Sequence, residues 1–421
     1  MKNPSNLRKI LKYIIYNGIA TSSMSTMTSS AIVVAYAMLL GADPMHIGLI
    51  GNVDYICFFS YFIASFLINK GFSARSISVN FSFVARFFYL IIALLALFNG
   101  GSWVVLCLLL CLFMSSFIGS IAGGVFYPWM KSLLPENILA SFFAERFRWI
   151  TITSIVFYLL TAGFFYVFDH HISEYKIYAY SIIFFFAFLA GLYSVYTFTQ
   201  LPNIKLPCSD DGSFWHKISV ISRKKSVILM SCFLGLINFS ICFVTPFITV
   251  YILSVLKFTM PTVIILTILS NVAYAASTRW IGRKVKQFGY YPTIIVGISG
   301  YVLCLLCLTC CLYFEQSPAV ILLLVLSYIL LGLSQFIMDL GVNNIQLIFV
   351  PEKDSSVYIA VINFIRALFA TIAGVSSGYI LASLQSVYND VNTAWQIFWI
   401  IGMICFISVL ISAVPIRRYI K

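Results

Sequence analysis

Apolar positions along the chain gather into long runs separated by short polar breaks. A helix crossing a hydrocarbon layer takes about 20 largely apolar residues. Runs of that kind fall at 13–39, 45–68, 77–98, 102–126, 147–168 and 177–199, and again at 227–255, 260–281, 292–314, 318–341, 356–384 and 394–415. A polar stretch holding Pro202, Pro207, Asp210, Asp211, Gly212 and Arg223-Lys224-Lys225 separates the two sets. The pattern predicts an all-α polytopic membrane protein of twelve transmembrane helices. It divides into a bundle over 1–199, a cytoplasmic linker over 200–226 and a second bundle over 227–421.

Composition closes off the other classes. The 421 residues are 61% hydrophobic and only 9% charged, against about 25% charged in soluble domains. A soluble enzyme, a disordered chain and a disulfide-rich module are excluded on that ground. The formal net charge of +13 suggests nucleic acid until the basic residues are placed on the spans. Twenty-two of the 26 Lys and Arg lie before the first span, after spans two, four, eight and ten, in the linker, or at the C-terminus. Only Lys176 and Lys257 occupy the alternate loops. That asymmetry is the positive-inside signature, so both termini are expected in the cytoplasm, with a bacterial inner membrane as the setting and no nucleic-acid partner. The first span is expected to stay as a signal anchor. Most of the 11 Cys fall inside spans, and Cys307-x-x-Cys310 reads as small apolar filler.

The two sets of six spans are related by a repeat. At an offset of 216 residues Pro135-Glu136 meets Pro351-Glu352, Phe142 meets Tyr358, Ala144 meets Ala360, Lys70 meets Lys286 and Phe72 meets Phe288. One offset thus aligns two separate inter-helix loops, as expected of parallel repeats in secondary transporters. Here the chain resembles the major facilitator superfamily over essentially its full length. Trp280-Ile281-Gly282-Arg283-Lys284-Val285-Lys286-Gln287-Phe288-Gly289-Tyr290-Tyr291-Pro292 is similar to that family's Gly-x-x-x-Asp-Arg-Phe-Gly-x-Arg-Pro loop, with Lys286 in place of the acidic residue and Gln287 in place of the first Arg. Asn69-Lys70-Gly71-Phe72-Ser73-Ala74-Arg75 is a more degenerate copy. Trp129 to Pro135, followed by Phe142-Phe143 and Arg146, is similar to the family's loop between helices four and five. The resemblance implies gating loops at Lys70, Arg75, Lys286, Gly289 and Arg146. The chain departs from the family in carrying Lys286 where an acidic latch would stand and in lacking an intramembrane Arg in span four and a Gly-Pro-rich fifth helix, which weakens drug/proton antiport of the common kind.

Charges inside spans are costly and point to function. Four are found: Asp54, Arg86, Asp339 and Arg366. Asp54 lies 15 positions before Asn69 and Arg86 lies 11 after Arg75, about 22 and 16 Å deep. Asp339 lies 12 positions before Pro351 and Arg366 lies 11 after Ser355, about 18 and 16 Å deep. These depths suggest one carboxylate–arginine pair per half, serving a proton, an ionic substrate or helix packing. Asn17, Thr21, Met24 and Thr28 share one helical face, and Ser231, Asn238 and Thr245 repeat every seven residues above Pro246. The family resemblance places both helices beside a central cavity, with Asn271 and Asn363 as further candidates. The hydroxyls have a simpler use, bonding the preceding turn's carbonyls.

No phosphate-cradling loop, metalloprotease helix or nucleophilic triad is present in the sequence, so no enzyme activity and no cofactor are expected. The expectation is a monomeric secondary transporter in the lipid bilayer, proton-linked, exporting a small amphipathic or antibiotic-like compound. Uptake of a sugar, nucleoside, peptide or metal chelate is the second reading, and a lipid flippase or non-transporting receptor the third.

Overall fold

A computed structural model describes residues 4–98, 101–134, 136–171, 175–204, 214–288, 290–314, 317–349, 355–388 and 390–416. Every regular element among them is helical. This follows from the medium: hydrocarbon offers the backbone no hydrogen-bond partners, and a helix satisfies its own N–H and C=O groups. The first pass is α1 (Pro4–Met27) and α2 (Ser30–Leu39), and the second is α3 (Pro44–Ile50), α4 (Val53–Ile56), a 3-10 turn and α5 (Tyr61–Asn69). The next four are α6 (Ala74–Leu94), α7 (Ser102–Leu133), α8 (Glu136–His171) and α9 (Lys176–Thr199). After the short α10 (Phe214–Ser222) come α11 (Lys225–Val250), α12 (Met260–Phe288), α13 (Tyr290–Cys311), α14 (Pro318–Phe349), α15 (Ser355–Val387) and α16 (Val391–Ile416). Among the described residues these helices follow the order of a twelve-helix, two-domain layout.

Ten of the described helices are long and apolar enough to cross a membrane, and the second pass, bent by 58° between Ile50 and Val53, makes an eleventh. The Ser- and Thr-rich α1 is not among them. Several helices outrun their apolar stretches: α7 continues to Leu133, α14 to Phe349, and α12 through Ile281–Phe288. Three of the expected inter-helix loops are therefore helical over much of their length. Polar residues end a hydropathy run without ending a helix, and no proline interrupts Ile281–Phe288.

The chain forms two compact units, Met1–Gly41 with Cys57–Ser219, and Ala42–Ile56 with Val220–Lys421. In unit 1, α1 packs on α8 and α9, and α6 on α7 and α9, around Ile14, Val125, Trp129, Met130 and Phe198. In unit 2, α11 packs on α15, and α14 on both α12 and α13. Tyr251, Trp395, Phe398 and Trp399 interlock beside them.

Segment 42–56 reaches unit 2 through α3, which lies on α15 and α11. Asp43 caps α3, accepting from the His46 backbone N–H at 2.9 Å and meeting the His46 ring at 2.7 Å. Burial works to raise this carboxyl, but the His46 contacts hold it below the ordinary carboxylate range. Glycines set the helix approach. A Cβ on Gly48 would run into the Gly374 carbonyl oxygen, one on Gly374 would lie 2.8 Å from the Gly48 oxygen, and one on Gly378 2.5 Å from Met45 Cα. Buried Asn52 completes the seam, donating to Gly48 O at 2.9 Å and Cys242 O at 2.6 Å. Small residues let helix backbones touch, the chief source of packing attraction where both helix faces and lipid are apolar.

Candidate functional site

The polar interior of unit 2 draws on six helices. Asn363 and Arg366 stand three residues apart on α15, so their side chains share one face. Arg366 donates from Nη1 to Asn363 Oδ1 at 3.2 Å and from Nη2 to Asn238 Oδ1 on α11 at 3.1 Å. Asp339 on α14 accepts from the Tyr274 hydroxyl of α12 at 3.3 Å and lies within electrostatic reach of Arg366. The hydroxyl of Tyr55, on α4, feels Cys242, Asp339, Arg366 and Asp54. Tyr301 on α13 feels Tyr55 and Asp339. The structure thus places Asp339 and Arg366 in one cluster and adds Tyr274, Tyr55, Tyr301 and Cys242. Tyr55 is one of 25 Tyr in the chain. A lone Tyr or Cys in an apolar run carries no periodic signal, so the others are visible only through packing.

The other candidates are used differently. Asp54, on α4, is exposed and belongs to unit 2, whereas Arg86 on α6 belongs to unit 1. Asn17 is spent within unit 1, its Nδ2 donating to Ser194 O at 3.0 Å and Thr197 Oγ1 at 3.1 Å. Thr21 is half-buried on the same helix. Ser23, Ser25, Thr26 and Thr28 return to α1 carbonyls, and Ser22 ties α1 to α8 through Ile150 O at 3.1 Å and Ser154 Oγ at 2.7 Å. Asn271 donates to Thr267 O of its own helix at 2.9 Å. Most of the α1 hydroxyls therefore bond backbone.

Of the gating-loop residues, Lys70 is exposed with its Nζ 4.6 Å from the Phe66 ring centroid, and Arg75 is half-buried. Arg146 is buried, its guanidinium 4.8 Å from the Phe126 centroid, in a slot opened by Gly18, where a Cβ would meet Nε at 3.1 Å. Gly289 and the Lys286 side chain lie outside the described residues. Phe142 and Tyr358, matched at the 216-residue offset, are both buried. Tyr358 accepts a hydrogen bond from Lys224 Nζ at 2.6 Å.

No known family's sequence profile matches the chain, and no curated protein does. Solved structures do. The nucleoside transporter NupG, in a variant form, aligns with a TM-score of 0.74 at 14% identity, covering 96% of this chain and 99% of that one. The chain has the major facilitator fold. A POT family transporter in complex with a thioalcohol-conjugated peptide aligns at a TM-score of 0.67 and 12% identity, over 99% and 97% of the two chains. A D-xylose–proton symporter aligns at 0.66 and 14%, over 95% and 96%. These neighbours of the major facilitator fold are transporters, and the chain is an integral membrane protein.

Proposed function

We propose that this chain is a secondary active transporter that takes up a small, hydrogen-bonding organic solute with protons by alternating access of its two six-helix halves, 1–199 and 227–421. The observation that carries the reading is the unit 2 cluster, in which Asp339 shares its surroundings with Tyr274, Arg366, Asn238 and Asn363. Each intramembrane charge costs about 2.5–3.5 kcal/mol on insertion scales. A carboxylate retained at that cost, with one hydroxyl donor and a guanidinium in reach, is suited to binding and releasing a proton as its partners shift. The amide-rich surroundings suit a polar solute.

Export of an amphipathic compound rests on cavity helices that are aromatic and hydroxyl-rich with few fixed charges, and in α1 most of the hydroxyls bond backbone. Uptake accords with the xylose relative, a proton symporter by its description. A monomer with both termini in the cytoplasm of a bacterial inner membrane is the working arrangement, and the basic residues support that orientation.

The test is solute-induced proton flux in proteoliposomes loaded with a pH-sensitive dye, across nucleosides, sugars, small peptides and organic acids. Acidification of the lumen on external addition of one class supports uptake with protons. Alkalinisation indicates antiport, and the absence of any response across the set, with correctly inserted protein, contradicts proton coupling.

A further inference from the structure

Arg86 is an intramembrane charge that stands outside the unit 2 cluster. It sits 12 residues from Ala74 and 11 from Leu97 on one apolar pass, about 16–18 Å from either end. That is too deep for its side chain to reach a polar interface. Glycines hold it there. A Cβ on Gly191 of α9 would stand 2.8 Å from Arg86 Cδ and 3.0 Å from Cγ, and one on Gly119 of α7 3.7 Å from Nη1. Arg86 Nε is sealed from the surface without a hydrogen-bond partner. Neither ion pair among the described residues involves this guanidinium.

A cation at this depth with no counter-charge is costly, and the slot between Gly119 and Gly191 keeps it in place. A guanidinium offers a planar fork of N–H donors that matches the two oxygens of a carboxylate or phosphate. We propose that Arg86 is the anion-recognition residue of unit 1, and that its partner is the carboxylate or phosphate group of the transported solute. This rests on the transporter reading above and narrows its substrate to organic anions. The proposal replaces pairing of Arg86 with Asp54.

The full chain, purified in detergent and in nanodiscs, tests this with glucose 6-phosphate and succinate as probes, glucose as the neutral control and phosphatidylglycerol as the lipid source of the same chemistry. Without ligand, Arg86→Gln should melt no lower than the parent, because the substitution removes an uncompensated charge. A fall of more than about 3 °C would reveal a protein partner and overturn the proposal. At saturation, one of the anionic probes should raise the parent's Tm by about 5 °C, with no shift in Arg86→Gln and partial recovery in Arg86→Lys. Stabilisation by phosphatidylglycerol alone, lost in Arg86→Gln, upholds the anion site and overturns the solute as its source. Equal shifts in parent and Arg86→Gln, or no shift with any anion, overturn the site itself. In proteoliposomes, Arg86→Gln should lower anion uptake roughly 10–100-fold. Arg86-dependent binding without flux in the parent contradicts the transporter reading and leaves the site standing.

Discussion

Arg366 and Arg86 are the same side chain in the same medium, housed in two ways. Arg366 has two asparagine oxygens at 3.1 and 3.2 Å and a carboxylate in electrostatic reach. Arg86 has a glycine-walled slot and no acceptor among the described residues. A protein interior that supplies acceptors makes the cation part of its own framework, whereas one that supplies only space leaves the charge to be met by something else. Unit 2 is thus a prewired polar network, and unit 1 holds a half-buried guanidinium for an anion to meet.

The largest effect should come from dismantling the prewired side. Arg366→Gln removes the donor to Asn238 and Asn363 and the counter-charge to Asp339. Breaking a buried charged network in this way costs about 3–5 kcal/mol. A large drop in Tm and loss of transport are expected for Arg366→Gln, against no drop for Arg86→Gln. Equal destabilisation by the two would erase the contrast. Next comes the glycine seam that anchors α3 in unit 2. Gly48→Ala would force a methyl into the Gly374 carbonyl, and overpacking of this kind costs about 1–3 kcal/mol. Gly163→Ala, where a Cβ meets nothing within 4 Å, is the matched control and should melt like the parent.

Smaller again is Tyr274→Phe. It deletes one donor to Asp339 at 3.3 Å, worth about 1 kcal/mol, and should shift the pH dependence of flux more than it shifts Tm. The smallest effect is at the rim. Asp390 accepts from Thr393 Oγ1 at 2.6 Å and from the backbone N–H groups of Asn392 and Thr393, and these bonds hold its carboxyl below the ordinary range. A carboxyl lowered on folding stabilises above its unfolded pKa, and that contribution fades as pH falls through the folded value. Asp390→Ala should therefore melt slightly lower at neutral pH and converge with the parent in acid. A difference that grows in acid would contradict the assignment.

The fold was legible because membrane passes advertise themselves twice, once as apolar length and once as the loop bias of 22 basic residues. Pass boundaries were less so, since α7, α12 and α14 run on into polar sequence that ends the hydropathy signal but not the helix. Within the candidate site, Asp339, Arg366, Asn238 and Asn363 stood out because polarity inside a span is rare. Tyr274 and Tyr301 did not, because aromatic residues are common throughout these spans and only tertiary packing selects the two beside a carboxylate. The same packing shows that Asn17 and Asn271, conspicuous in sequence, make hydrogen bonds that serve helix structure.

In the proposed mechanism Asp339 carries the coupling proton. The most direct measurement compares parent and Asp339→Asn in proteoliposomes, following solute exchange at equal pH and accumulation under an imposed proton gradient. Asp339→Asn should retain exchange and lose gradient-driven accumulation. Accumulation at the parent's level, with the same pH dependence, would contradict it.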